Sequence, residues 1–163
     1  MQPVSDIETF FTDPDPWGFE TNEDDASRRT IIKNACAFYN PKTILEIGAA
    51  EGFITKALLE VCDYVAAIEL SKTAAARIPP EAKVVDSPGH WHYDLALAAG
   101  VFYGHYDWMQ MREWVLEATP DVIITSHYDL VGVAHDDFSE VKDLVQEIPF
   151  KYREGYQTLK VWK

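Results

Sequence analysis

Apolar residues along this chain recur with two different periods, and the alternation of the two predicts its secondary structure. Five runs are short and nearly continuous in apolar residues, which is typical of strands buried on both faces of a parallel sheet. These runs cover residues 43–47, 64–69, 82–86, 93–98 and 121–126. Between them, apolar residues at helical spacing predict helices over residues 52–62, 71–78 and 108–118. Strands that alternate with helices predict an α/β fold with right-handed crossovers.

The chain before the first strand divides into an irregular arm and one helix. Three prolines interrupt the first 22 residues, where only residues 7–11 fit a short helix. From Ser27 onward, apolar residues return at helical spacing up to Phe38. We therefore predict an N-terminal arm over residues 1–26 and one compact domain over residues 27–163.

The end of the chain carries a helical stripe followed by a hairpin pattern. The stripe consists of Phe138, Val141, Leu144, Val145 and Ile148. Residues 150–153 and 157–162 flank a turn at Glu154-Gly155 and predict two antiparallel strands. Residues 87–92, between two predicted strands, are too few for a crossover helix. Together these patterns predict a Rossmann-like, doubly wound and mostly parallel sheet with one antiparallel strand near the C-terminus.

Charge and cysteine content narrow the classes of partner. Asp and Glu number 27 against 14 Lys and Arg, so the net charge is −13 at pH 7. Nucleic-acid binding needs a basic footprint, and the densest basic cluster is Arg28-Arg29, so we expect a small-molecule partner and no nucleic acid. No signal sequence or membrane-length apolar run is evident, so we expect no membrane partner. Cys36 and Cys62 lie in apolar helical patterns, which is typical of buried thiols in a cytoplasmic protein.

The loop after the first predicted strand carries the clearest chemical signal. It places Glu46, Gly48, Ala50 and Gly52 immediately before a helix. Gly48 permits a sharp turn, small Ala50 allows a ligand to approach the backbone, and Gly52 permits close packing of helix and strand. The helix N-terminus then presents free N–H groups to an anionic group. A tight structural turn without a ligand remains the alternative for this loop taken alone.

Acidic residues at neighbouring strand ends strengthen the ligand hypothesis. Glu69 ends the second predicted strand and Asp86 ends the third. Open α/β sheets bind ligands at the carboxyl ends of their strands, where a carboxylate can accept both hydroxyl protons of a ribose. No Walker GxxxxGK[ST] pattern is present, which argues against nucleotide hydrolysis. A nicotinamide-dependent reductase is disfavoured, because Ala50 and Phe53 stand where its second and third glycines would follow Gly48.

With these residues in place, the chain resembles the class I S-adenosylmethionine-dependent methyltransferases, whose signature is an acidic-x-Gly-x-Gly-x-Gly loop. More narrowly, it resembles the nodulation N-methyltransferase (NodS-like) family over nearly its whole length. The residues that carry this narrower resemblance are Asp15-Pro16-Trp17, Thr21, Asp25-x-x-Arg28, Leu45-Glu46-x-Gly48, Phe53-x-Thr55, Tyr93-Asp94-Leu95, Phe102-Tyr103 and His127-Tyr128. The chain departs from the family at Ala50, in place of the middle glycine, and at Ala99-Gly100, in place of Ser-Glu.

The resemblance implies a seven-stranded sheet that binds S-adenosylmethionine over the tips of its first three strands. Gly48 and Ala50 would flank the methionine moiety, Glu69 would hold the ribose, and Asp86 would approach the adenine amine. Trp17 and Arg28 would close over the cofactor, so the arm would cover the site. The complete predicted cofactor set is Trp17, Arg28, Glu46, Gly48, Ala50, Gly52, Glu69, Leu70 and Asp86.

Methyl transfer is an in-line displacement that chiefly requires alignment and exclusion of water. A base is useful if the acceptor is an amine or a hydroxyl, and His127, at the end of the fifth predicted strand, is the leading candidate. His105 is the second candidate, and Tyr103 is a candidate for a hydrogen bond to the acceptor. We predict no metal, because His90 and His92 lack a third ligand in the sequence.

A non-catalytic function stays open as the alternative to an enzyme. The departure at Ala99-Gly100 and the short chain also fit a non-catalytic module that binds S-adenosylmethionine or S-adenosylhomocysteine. If the chain is an enzyme, the acceptor is predicted as a small molecule, such as an amine or a saccharide. The sequence does not identify the acceptor, because function resides in the site rather than in the fold.

Overall fold

A computed structural model describes residues 4–163, with side chains from residue 6 onward, and shows one seven-stranded sheet. The strands are β1 (Thr43–Ile47), β2 (Tyr64–Ile68), β3 (Lys83–Val84), β4 (Leu95–Ala99), β5 (Val122–Tyr128), β6 (Leu144–Tyr152) and β7 (Gly155–Trp162). Their order across the sheet is β3-β2-β1-β4-β5-β7-β6. β7 runs in the direction opposite to that of the other six strands, so its pairs with β5 and β6 are antiparallel. The predicted mostly parallel sheet with one antiparallel strand is therefore confirmed.

Helices cover both faces of the sheet. They are α1 (Val4–Phe10), α2 (Glu23–Phe38), α3 (Phe53–Leu58), α4 (Lys72–Ala75) and α5 (Trp108–Glu117). The start of α2 is capped by Asn22, whose side-chain oxygen accepts from the backbone N–H groups of Asp24 and Asp25. Within residues 4–163, no helix combines the length and apolar character needed to cross a bilayer.

Two apolar cores lie on opposite faces of the sheet, as the continuous apolar strands predict. On one face, Ile32 and Cys36 of α2 pack with Leu58 of α3. On the other face, Met111 and Val115 of α5 pack with other buried side chains. Adjacent strand residues belong to different cores because successive side chains point to opposite faces of a sheet.

The helix predicted from the stripe at residues 138–148 is wrong. Instead, the chain leaves β5 through a short 3-10 turn at Asp129–Val131 and an irregular loop, and β6 begins at Leu144. Of the predicted apolar stripe, Phe138 is fully buried, but Leu144 and Val145 remain exposed. Pairing with β7 satisfies the backbone of this segment, and that pairing outweighs the helical spacing of its side chains. The predicted C-terminal hairpin is confirmed, with a longer first strand.

The edge strand beside β2 is shorter than the sequence predicts. Only Lys83 and Val84 of the predicted strand over residues 82–86 pair with β2. The chain then crosses to β4 without a helix, in agreement with the short link at residues 87–92.

Candidate active site

One cavity of about 460 Å³ lies at the carboxyl edge of the parallel strands. Gly48 after β1, Glu69 after β2 and Gly100 after β4 all line it. The N-terminal arm forms the opposite wall through Phe10 and Trp17, among other aromatic side chains. The cavity therefore occupies the position at which open α/β sheets bind ligands.

The loop after β1 is shaped by left-handed backbone and close packing. Gly48 has a φ of 74°, and a Cβ placed there would lie 2.3 Å from Cγ1 of Val101. Gly52 has a φ of 81°, and a Cβ there would lie 2.6 Å from Cδ of Pro79. Both positions therefore require glycine. Ala50 has a φ of 50°, so the residue that departs from the family pattern keeps the backbone conformation that a glycine adopts without strain.

Glu69 is held at the cavity wall by backbone donors. Its Oε2 accepts from the N–H of Ala50 at 2.8 Å, and its Oε1 accepts from the N–H of Ser71 at 2.8 Å. Burial raises the pKa of Glu69, and these backbone hydrogen bonds act in the opposite direction. The bonds fix the carboxylate beside the loop after β1, with both oxygens oriented.

Glu46 lies behind the loop rather than on the cavity wall. It is buried, and the hydroxyl of Thr55 in α3 donates to its Oε2 at 2.5 Å. Burial raises the pKa of Glu46 to about 7, against the opposing effects of Thr55 and of the nearby Arg28 charge. Glu46 therefore ties the end of β1 to α3 and places an ionisable group close to Arg28.

Arg28 places an unpaired buried cation in the cavity wall. Arg28 is 6% exposed, and its Nε donates to Oε1 of Gln157 at 2.9 Å. The guanidinium lies 6.0 Å from the ring centroid of Phe19 and 5.8 Å from that of Tyr152. The ion pairs formed among residues 6–163 do not include Arg28. Burial lowers the pKa of this guanidinium, as expected for a desolvated charge.

The arm is pinned over the cavity by buried polar contacts. Glu51 accepts from the backbone N–H of Asp15 and forms an ion pair of 2.6 Å with Arg77. The carboxylate of Asp15 in turn accepts from the N–H of Phe19 at 2.6 Å. Trp17 stacks on Phe19 with ring centroids 5.2 Å apart. This arrangement brings the predicted Trp17 to the cavity.

The structure brings together six of the predicted cofactor residues and leaves three outside the wall. The six that line the cavity are Trp17, Arg28, Gly48, Ala50, Glu69 and Leu70. Glu46 and Gly52 support the loop from behind. Asp86 is exposed and does not line the cavity, because β3 ends at Val84 and the chain has left the sheet before Asp86.

Tyr103 lies at the cavity, but its hydroxyl is already engaged. The hydroxyl accepts a short hydrogen bond from the N–H of Tyr128 and donates to the carbonyl of the same residue. Burial raises the pKa of Tyr103 to about 12. These contacts join the loop after β4 to the end of β5, which favours a positioning role over proton transfer.

His127 lies in a different pocket from the one that holds the predicted cofactor residues. Successive side chains of β5 alternate, so Ser126 meets Gln157 at the cavity while His127 points to the other face of the sheet. There its Nδ1 lies 3.3 Å from Oδ2 of Asp136 and its Nε2 lies 3.7 Å from Oδ1 of Asp129. His105, the second predicted base, does line the cavity, with its ring stacked on Tyr103 at 5.8 Å.

Asp136 anchors the His127 pocket through strong local contacts. Its carboxylate accepts from the hydroxyl of Thr125 at 2.8 Å and from Nζ of Lys160 at 2.9 Å. Burial by itself would raise the pKa of Asp136, but the neighbouring His127, Lys160 and Thr125 donors hold it well below its usual range. The ionised Asp136 therefore ties the loop after β5 to β7.

Three residues of the C-terminal hairpin complete the cavity and were not predicted. Tyr152 donates to the buried Asp25 at 2.6 Å, and Arg153 forms an ion pair with the same carboxylate at 2.6 Å. Gln157 contacts Arg28 and Ser126. No sequence signal links these residues to α2, because the contacts join positions 127 to 129 residues apart.

A further group of polar side chains lies at the opposite edge of the sheet. His92, Asp94 and Asp121 each place a ligand-type atom within 4.8 Å of the others. Asp94 also accepts from the backbone N–H groups of Lys42 and Thr43, so it holds the start of β1 in place. The group stands apart from the cavity and does not contribute to its wall.

No family model and no curated protein matches this sequence significantly. Solved structures do match its fold. N-methyltransferase NodS from Bradyrhizobium japonicum WM9, in complex with S-adenosyl-L-homocysteine, superposes with a TM-score of 0.76 at 17% identity, covering 98% of this chain and 96% of that chain. Magnesium protoporphyrin IX methyltransferase (ChlM) from Synechocystis PCC 6803, with bound SAM, gives a TM-score of 0.70 at 10% identity, covering 99% of this chain and 97% of that chain.

The methyltransferase domain of a bacterial Hen1 protein, CtHen1, shares the fold as well, with a TM-score of 0.65 at 12% identity over 86% of this chain and 100% of that chain. The chain thus has the Rossmann-like fold of class I methyltransferases, as the sequence predicts. Because the identities are low and the proteins differ in what they methylate, the likeness establishes the fold and leaves the reaction to the site itself.

Proposed function

We propose that this protein binds S-adenosylmethionine and transfers its methyl group to a small-molecule acceptor. The observation that carries the proposal is the unpaired, buried Arg28 in the wall of a cavity that also contains the Glu69 carboxylate. Asp25 and Glu46 compensate the Arg28 charge from nearby, but its terminal nitrogens form no direct ion pair and stay available to an anionic ligand. S-adenosylmethionine offers a carboxylate for Arg28 and ribose hydroxyls for Glu69.

Gly100 supports this proposal from the tip of β4. A Cβ at this position would lie 3.6 Å from Nη2 of Arg28. An acidic side chain there, such as the family pattern contains, would stand against the guanidinium and neutralise it. Glycine leaves the positive charge available to a ligand, which fits a site built to receive a carboxylate.

The residues of the chain then divide the work of the reaction. S-adenosylmethionine supplies an electrophilic methyl group when it is bound. Arg28 binds the carboxylate, Glu69 accepts hydrogen bonds from the ribose, and Leu70 packs against the nucleoside. Trp17 and the other aromatic residues of the arm exclude water, which favours an in-line displacement.

His105 is the side chain that we propose as the base for an amine or hydroxyl acceptor. It lines the cavity and retains solvent contact, so it can release a proton to water. Its ring lies against Tyr103 and Tyr106, with centroids 5.8 Å and 4.1 Å away. His127 is not proposed for this step because it lines a different pocket.

A small acceptor fits both the enclosed cavity and the charge of the protein. The net charge of −13 repels a polynucleotide, and the arm forms one wall of the cavity, which leaves less room for a large substrate. A small amine or a saccharide would meet neither obstacle.

Binding and turnover test this proposal separately. Isothermal titration of the purified protein with S-adenosylhomocysteine, S-adenosylmethionine and NADH should show binding of the first two only. Radiolabelled methyl transfer should then be followed with panels of amines, saccharides and short RNAs, and with His105→Ala as a matched variant. We expect label on a small molecule and at least about tenfold slower turnover in His105→Ala.

Each failure has a distinct meaning. If neither adenosyl ligand binds at millimolar concentration, the cofactor assignment is wrong. If both bind tightly and no acceptor in any panel receives label, the result favours a non-catalytic binding module. Label on RNA would show that the acceptor is RNA and not a small molecule.

A further inference from the structure

Gln157 in β7 is a buried side chain at the cavity, and the proposed function assigns it no role. It is 3% exposed and lines the cavity wall. Its Oε1 accepts from Nε of Arg28 at 2.9 Å and from the hydroxyl of Ser126 at 2.8 Å. Arginine can only donate hydrogen bonds, so the oxygen of the amide must face Arg28. The orientation of the amide is thereby fixed, with Nε2 on the other side.

The Nε2 donor of Gln157 has no acceptor among residues 6–163, and it is not one of the polar atoms that burial seals off from solvent, so it remains accessible from the cavity that Gln157 lines. An accessible amide donor in a cavity wall can bind water or a polar group of a ligand. The terminal nitrogens of Arg28 also lack protein acceptors in this part of the chain. Two neighbouring side chains of the cavity wall therefore have donors without protein partners.

We propose that Gln157 is a positioning and specificity residue that, together with Arg28, forms a clamp for the carboxylate of the cofactor. Its oxygen holds the guanidinium in place, and its Nε2 donates a second hydrogen bond to the bound carboxylate. Ser126 restrains the amide from the end of β5. This inference rests on the proposed function and adds the C-terminal hairpin to the cofactor site.

The clamp makes a specific prediction about ligand discrimination. S-adenosylhomocysteine carries the carboxylate, whereas decarboxylated S-adenosylhomocysteine lacks only that group. The wild-type protein should bind the first ligand more tightly than the second. Gln157→Leu should lower the affinity for S-adenosylhomocysteine about 10- to 100-fold, the range expected for hydrogen bonds to a charged group. It should leave the affinity for the decarboxylated ligand nearly unchanged.

Two further variants separate ligand recognition from general damage. Gln157→Glu places a carboxylate beside Arg28 inside the protein, so it should abolish discrimination by neutralising the cation and repelling the ligand. Thr158→Ala, at the next position of β7, is the matched control and should keep the wild-type ratio of the two affinities. Because each ratio compares two ligands on the same folded molecules, it does not depend on the stability of the variant.

Titration calorimetry with both ligands decides the matter. A ratio in Gln157→Leu equal to that of the wild type would overturn the role of Gln157. A loss of discrimination in Arg28→Ala but not in Gln157→Leu would also overturn it, since Arg28 alone would then recognise the carboxylate. If the wild-type protein binds neither ligand, the proposed function itself is wrong, and the clamp proposal, which rests on it, is overturned as well.

Discussion

The buried carboxyl of Glu46 shows how a single residue couples the fold to pH. Burial raises the pKa of Glu46 from 4.5 to about 7 in the folded protein, so the fold favours the protonated form. The contribution of this group to stability is therefore fully present below pH 4.5 and is lost as the pH rises through 7. Ionisation of Glu46 next to Arg28 also brings a negative charge close to the proposed carboxylate clamp.

Glu46→Gln should remove this dependence, because the amide keeps the acceptor for Thr55 and cannot ionise. We expect the free energy of unfolding of the wild type to fall between pH 5 and pH 8 by up to about 3 kcal/mol more than that of the variant. Urea unfolding at both pH values measures the difference. Parallel curves for the two proteins would show that Glu46 titrates as an ordinary glutamate in the fold.

At the scale of elements, the arm is attached to the rest of the domain by carboxylates, of which Glu51 is buried. Glu51 lies in the loop after β1, and it contacts both the backbone of Asp15 and the side chain of Arg77. Glu8 in α1 adds a second attachment by accepting from the N–H of Lys72 at the start of α4. The arm is therefore held over the cavity by these polar contacts together with the packing of its aromatic side chains, of which Phe11 is buried and Phe19 contacts Phe53 of α3.

Glu51→Gln should loosen the arm and weaken ligand binding without unfolding the domain. Loss of the charge leaves Arg77 without its ion-pair partner, and because the Arg77 side chain is 31% exposed, water partly compensates for the loss. We expect the affinity for S-adenosylhomocysteine to fall about tenfold and the arm to become sensitive to limited proteolysis. Lys33→Ala, which breaks the more exposed pair with Glu60, is the control and should change neither property.

At the scale of the whole molecule, the excess of acidic residues works against the compact state. The net charge of −13 produces self-repulsion, whereas the cavity wall contains the unpaired Arg28. The acidic surface and the part of the cavity wall that contains Arg28 thus affect different classes of ligand. The surface disfavours polyanions, whereas the proposed clamp around Arg28 would select a small ligand with a carboxylate.

Salt should therefore stabilise this protein. Screening at 1 M salt shortens the Debye length to about 3 Å, compared with about 30 Å at 0.01 M, and weakens the repulsion between surface carboxylates. We expect the melting temperature to rise between 0.01 M and 0.3 M sodium chloride, as measured by circular dichroism. A fall over this range would mean that attractive surface ion pairs outweigh the net repulsion.

The strand and loop patterns carried enough local information to predict much of the fold. The parallel strands are continuous apolar runs because both of their faces are buried, and this property is visible in the sequence. The loop from Glu46 to Gly52 is likewise visible, since close packing leaves no room for a side chain at Gly48 or Gly52. Segment 138–148 was not predictable in this way, because its spacing fits a helix while the pairing of β6 with β7 decides the outcome.

The sequence by itself therefore determined the α/β layers, the loop at the tip of β1 and the acidic residue that ends β2. Only the tertiary structure decided that Gln157 meets Arg28, that His127 faces a second pocket and that Asp86 lies off the cavity. Apolar periodicity and glycine requirements are local properties of a chain. The face on which a strand residue lies and the partner it meets more than 100 residues away depend on register and packing, which a local pattern does not encode.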